Sequence, residues 1–131
     1  VEIVAQLIEK TKNEKDPIKT LAQIGGIEIA ALIGYMLRAA SLQVPVVLDG
    51  VITLAAATVA QAINPAITQF LIAGHCSSEP GSRIAITHLQ LQPILDLELR
   101  LGEGTGALLS IPIIRAACQA LSRMARISDL L

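Results

Sequence analysis

Aromatic residues are nearly absent from this chain of 131 residues, which has no tryptophan, one tyrosine (Tyr35) and one phenylalanine (Phe70). Stacking of bases on side-chain rings is therefore excluded as a main mode of binding, and a flat ligand must sit between aliphatic walls. Charge of one sign is also missing. Ten basic residues stand against eleven acidic ones, a net charge of −1, so no basic surface is offered to a phosphate backbone and no nucleic-acid partner is expected. Cysteine is limited to Cys76 and Cys118, which excludes a disulfide scaffold and lacks metal-ligand spacing. A reduced, cytoplasmic setting without a bound metal is the expectation. Uninterrupted apolar runs are short, although no charged residue occurs from Val51 to Ser78. A spanning helix needs about 20 apolar residues, whereas the run from Val51 stops at Asn64-Pro65 and the stretch from Ile24 to Leu48 is broken by Gly25-Gly26, Glu28, Arg38 and Pro45. These stretches read as the interior of a soluble domain, with no membrane partner. The charged, amphipathic N-terminus does not read as a signal peptide. A first residue Val1 in place of methionine suggests a processed or truncated product.

What the chain has is apolar residue: 53% of it is hydrophobic and its mean hydropathy is +0.62, which excludes disorder and allows one domain with a real core. Val1, Val4, Leu7 and Ile8 recur at helical spacing, predicting an amphipathic helix to about Asn13. Asp16-Pro17 reads as an N-cap and first helical position, opening a short helix that ends at Gly25-Gly26. A third helix, apolar nearly all round, is predicted from Ile27 to Ser41, with Ala30, Ala31 and Gly34 admitting a close neighbour. Residues 1–43 thus form a helical segment.

From residue 44 to 131 three units repeat one pattern: an apolar run, a polar or glycine-rich turn, and a helix. Such alternation predicts an α/β fold, a three-layer, Rossmann-like parallel sheet flanked by helices, with no linker that divides domains. The three strands are Val44–Leu48, Phe70–Gly74 and Ile94–Leu97. The helices that follow are predicted to end at Ile63, near Leu89 and near Arg126, the last open to a kink at Pro112.

In open parallel sheets ligands bind beyond the carboxyl ends of the strands. Asp49, His75, Ser77, Glu79 and Glu103 should therefore gather around one crevice. Glu103 is the sharpest candidate. It sits in Gly102-Glu103-Gly104, where a carboxylate on a flexible turn suits a general base and Leu99, Leu101, Ala107 and Leu108 could desolvate it. A bland reading, a glutamate favourable to a helix dipole, stands beside it. Asp49 before Gly50 reads equally as a site residue, a cap or a turn residue. His75 is a buried structural histidine or a catalytic one. Ser77 and Ser78 either cap the helix near Pro80 or join a phosphate cradle with Gly50 or Gly81. Glu79 reads as structural, Cys76 lacks an adjacent base, and His88 reads as a surface residue.

Four segments in order, Gly25-Gly26-Ile27-Glu28-Ile29-Ala30-Ala31-Leu32, Val46-Val47-Leu48-Asp49-Gly50, Gly74-His75-Cys76-Ser77-Ser78-Glu79-Pro80-Gly81 and Leu97 through Gly106, resemble the nicotinate-nucleotide:dimethylbenzimidazole phosphoribosyltransferases. The resemblance covers nearly the whole chain, with Gly74 and Ser78 standing where the family usually has serine and alanine. It implies transfer of the 5-phosphoribosyl group of nicotinate mononucleotide to a lower-loop base, giving α-ribazole 5′-phosphate and nicotinate in cobalamin biosynthesis. By the same resemblance Glu103 matches the general base, Leu101 a wall of the base pocket, and Gly50 and Ser77 positions near the nucleotide. The expected binding set is Asp49, Gly50, His75, Ser77, Leu101, Gly102 and Gly104. No cofactor is implied, and the partner is a second copy in a homodimer. Family members are much longer, so the resemblance makes this a C-terminal portion with little activity alone. The alternatives are a nucleotide- or phosphate-binding module without turnover and an oligomerisation fragment.

Overall fold

Asp16 starts a helix because its carboxylate accepts the backbone N–H groups of Ile18 at 2.9 Å and Lys19 at 3.4 Å, two donors that the first helical turn leaves unpaired. That helix, α2 (Pro17–Ile24), follows α1 (Glu2–Thr11) and precedes α3 (Ile27–Ser41). The computed structural model describes residues 2–125 and 127–129. Beyond α3 come β1 (Val46–Leu48), α4 (Val51–Ile63), a 3-10 turn at Pro65–Phe70, β2 (Leu71–Ala73), α5 (Pro80–His88) and α6 (Thr105–Arg123). The predicted helices hold, with first and last ends each a few residues short. Arg126, the predicted end of the last helix, lies outside the described residues. Pro112 sits inside α6, which continues past it.

β1 and β2 pair in parallel, Val46 opposite Leu71 and Leu48 opposite Ala73. The third predicted strand is corrected. Among the described residues it is reduced to one parallel bridge between His75 and Leu95, held by Cys76 N–H to Leu95 O at 2.8 Å and Ile94 N–H to Ala73 O at 2.9 Å. Pro93 has no N–H to extend this ladder, and Glu98 at φ +54° turns the chain out of it. The arrangement is therefore a small parallel sheet flanked by helices.

The core lies where α3, α4 and the sheet meet. Met36, Leu48, Leu54, Ile67 and Leu89 are fully buried there, each contributing about 1.5–3 kcal/mol by leaving water. Alanine at positions 56, 57 and 60, also buried, lets α4 lie close to its neighbours. α2 packs on α4, and α3 on both β1 and α4. One expectation for α3 is corrected: Ile33, Met36 and Ala39 are its buried face, while Ala30, Ala31 and Gly34 lie off it and a Cβ on Gly34 would meet nothing within 4 Å. Its apolar flank, with Ile27 and Tyr35, faces outward. α6 also differs from expectation, being long and apolar enough by length and composition to cross a membrane. Only Gly106 and Ser110, near its start, are buried.

Candidate active site

Gly102, Glu103 and Gly104 take φ values of +73°, +56° and +79°. Three successive left-handed residues reverse the chain sharply before α6. Glycine does this freely, but glutamate resists it at a cost of about 1–2 kcal/mol. The turn is held from outside. The carboxylate of Asp49, at the end of β1, accepts the N–H of Gly104 at 3.2 Å on Oδ2 and the N–H of Ala107 at 3.1 Å on Oδ1. Gly104 is the N-cap of α6 and has no side chain to offer, so Asp49 supplies the cap from far along the chain. Hydrogen bonds to a charged acceptor contribute about 1.5–3 kcal/mol each, enough to offset the strain at Glu103.

Asp49 is itself fixed. Its N–H donates to Thr53 Oγ1 at 3.0 Å, and that hydroxyl donates to Gly50 O at 2.9 Å. His75 Nε2 approaches Asp49 Oδ1 at 3.4 Å. The expected burial of His75 holds at 4% exposure, but the residue is not satisfied: its Nδ1 finds no partner among the described residues. The ring leans on α6 at Gly106, where a Cβ would fall 1.9 Å from His75 Cδ2. Gly74 makes a second close approach, since a Cβ there would meet Leu48 O at 2.8 Å and the Ala107 Cα at 2.9 Å. Sheet and helix therefore lock together directly beneath the turn.

Asp49, Gly50, His75, Ser77, Glu79, Leu101, Gly102, Glu103 and Gly104 all line one crevice of about 420 Å³. The crowding of Asp49, His75, Ser77, Glu79 and Glu103 predicted from the three turns is thus present, while Ser78 and Gly81 do not line this crevice. Details differ. Neither serine caps α5, whose N-cap is Glu79. Ser77 Oγ instead accepts the N–H of Glu79 at 3.2 Å, fixing the approach to the helix. Glu79 pairs with Arg100 at 2.7 Å, a partner that sequence reasoning missed because the two lie on separate loops. Glu103 is exposed, with Leu101 at 73% and Leu108 at 64% exposure. The desolvation expected from Leu99, Leu101, Ala107 and Leu108 is therefore not seen, since Glu103 stays exposed beside them and two of the four are exposed themselves. His88 is exposed, as read from sequence, and Cys76 is buried.

A larger groove of about 890 Å³ adjoins this crevice across Ser77 and Glu79 and is bordered by Arg83, Ile84 and Asp96. Arg83 bonds Asp96 at 2.7 Å, which holds the guanidinium above its usual value through the hydrogen bond first and the charge of its neighbours second. Of the three carboxylates in the crevice, Asp49 is taken by backbone amides and Glu79 by Arg100. Glu103 has no hydrogen bond or ion pair from its side chain among the described residues.

A family model described as Phosphoribosyltransferase (DBI_PRT) matches residues 1–129. The chain belongs to this phosphoribosyltransferase family. A nicotinate-nucleotide–dimethylbenzimidazole phosphoribosyltransferase of Chloroflexus aurantiacus is 45% identical over 130 residues, covering 98% of this chain and 37% of the relative. An Escherichia coli protein of the same name is 47% identical over 116 residues, 88% of this chain and 32% of the relative. The crystal structure of CobT from Thermus thermophilus matches with a TM-score of 0.91 and 40% identity, over 97% of this chain and 38% of that one. The chain thus spans about a third of the length of these proteins.

Proposed function

We propose that the protein carrying this chain transfers the 5-phosphoribosyl group of nicotinate mononucleotide to 5,6-dimethylbenzimidazole or a related lower-loop base. The products are α-ribazole 5′-phosphate and nicotinate, in cobalamin biosynthesis. The observation that carries this reading is Glu103, the one crevice carboxylate without a partner among the described residues, at the mouth of a crevice in a member of this family. One nitrogen of the base attacks the anomeric carbon with inversion. The bond from that carbon to the pyridinium nitrogen breaks, and its electron pair stays on the departing nicotinate. Glu103 takes the N–H proton from the other nitrogen of the base, a role for which a positioned carboxylate contributes roughly 10² to 10⁴ in rate.

Gly50, Ser77 and His75, with Gly102 and Gly104, would face the nucleotide, and Leu101 one side of the flat base. The exposed side chain of Leu101 supports that role, since it is available to be covered by a ligand or by further chain. No resident cofactor or metal is needed, because the leaving group departs as a neutral ring nitrogen. We place the protein in the cytoplasm as a homodimer, without nucleic-acid or membrane partners. Exposed Ile27, Tyr35, Leu121 and Met124 support a large partner surface. α6 reads as part of this unit and not as a span, since its first turn is tied to Asp49 and His75.

Incubation of the full-length protein with nicotinate mononucleotide and dimethylbenzimidazole tests this. The expected result is equal amounts of nicotinate and α-configured product, dependent on added base. Binding of the nucleotide without any product would favour the non-catalytic module.

A further inference from the structure

We propose that Asp49 is a positioning residue for Glu103, holding the turn that aims the base at its substrate; this rests on Glu103 being the base. Its two carboxylate oxygens are occupied by the N–H groups of Gly104 and Ala107 at 3.2 and 3.1 Å. Gly104 follows Glu103 directly, and Ala107 lies in the first turn of α6. The left-handed run at 102–104 is closed on itself by Thr105 N–H to Gly102 O at 3.0 Å, a bond that fixes its shape but not its place. The side chain that ties it to the sheet is Asp49, 55 residues before Gly104 in sequence.

The restraint is stiff because its anchor cannot move. Asp49 sits at the end of a paired strand, bonded through its own N–H to Thr53, with the buried His75 ring 3.4 Å behind Oδ1. Gly106 leaves that ring no slack. Asp49 lines the crevice, yet with both oxygens engaged it acts through Glu103 and not on the substrate. A base misplaced by an ångström loses about a hundredfold in rate. The loss should fall on the chemical step and not on nucleotide binding.

The test uses the full-length protein with Asp49→Asn, which keeps the shape and one acceptor oxygen, and Asp49→Ala, which keeps neither. Transfer rates are measured in the wild type and in a Glu103→Gln background, and amide hydrogen exchange is followed at Gly104, Ala107 and Ala73. Expected are a kcat loss of about ten- to a hundredfold, larger for alanine, with KM for nicotinate mononucleotide within about twofold. Gly104 and Ala107 should exchange faster while Ala73 in β2 is unchanged. In the Glu103→Gln background neither substitution should cost anything further. The same loss in both backgrounds, or unchanged protection at Gly104 and Ala107, overturns the proposal. Wild-type transfer by Glu103→Gln itself refutes the base reading and takes the positioning role with it, whatever the amides do.

Discussion

Gly106→Ala should destabilise the protein although alanine is the better helix former. An added Cβ would lie 1.9 Å from Cδ2 and 2.3 Å from Cγ and Nε2 of His75, whereas carbon atoms settle at about 3.5–4.0 Å. The ring is 4% exposed and sits beneath the first turn of α6, so helix and sheet must separate by well over an ångström. Overpacking of this kind costs about 1–3 kcal/mol. Removing a glycine from a helix returns about 0.5–1 kcal/mol, leaving a net loss of about 1–2 kcal/mol. With a urea slope of about 1–3 kcal/mol per molar, the unfolding midpoint should fall by about 0.3–2 M. Gly34→Ala in α3 is the matched control, since its Cβ meets nothing within 4 Å and only the gain remains. A Gly106→Ala midpoint equal to or above that of the wild type would refute the packing of His75 against α6.

Gly104→Ala places a side chain at φ +79° and should cost about 1–2 kcal/mol while slowing transfer; an unchanged melting temperature and rate would contradict the strained turn. Asp16→Ala should cost about 0.5–2 kcal/mol through the lost cap, read as faster amide exchange at Ile18 and Lys19, and unaltered exchange would mean that the cap is not formed. Iodoacetamide should label the exposed Cys118 in the native protein and reach the buried Cys76 only after unfolding, with mass spectrometry of the peptides as the readout; equal labelling would contradict the burial of the loop after β2.

The local parts of this fold are legible in the sequence because their causes are local. Asp16-Pro17 and Gly25-Gly26 bracket α2 through capping and backbone freedom, and Asn64-Pro65 ends α4, so these boundaries can be read without any tertiary contact. The convergence of Asp49, His75, Ser77, Glu79 and Glu103 follows from parallel topology, which puts every strand's carboxyl end on one side. What could not be read is set by distance along the chain. Asp49 caps a helix 55 and 58 residues away, and no local rule chooses between that and a turn of its own. The pairing of Glu79 with Arg100 joins two loops whose relation depends on the whole fold. The strand at Ile94–Leu97 failed because an apolar run says nothing of whether a partner edge continues beside it, and among the described residues the pairing stops after Ile94 and Leu95. Exposure of Leu101 and Leu108 was hidden for a similar reason: hydrophobicity marks what can be buried, not what covers it.

The central claim is that Glu103 removes the proton of the attacking base. It is tested most directly by the rate of nicotinate release in the full-length protein, compared between wild type and Glu103→Gln, with nucleotide affinity measured alongside by titration. The expected rate for Glu103→Gln is lower by about 10² to 10⁴, with nucleotide affinity nearly unchanged. Release by Glu103→Gln at the wild-type rate would contradict it.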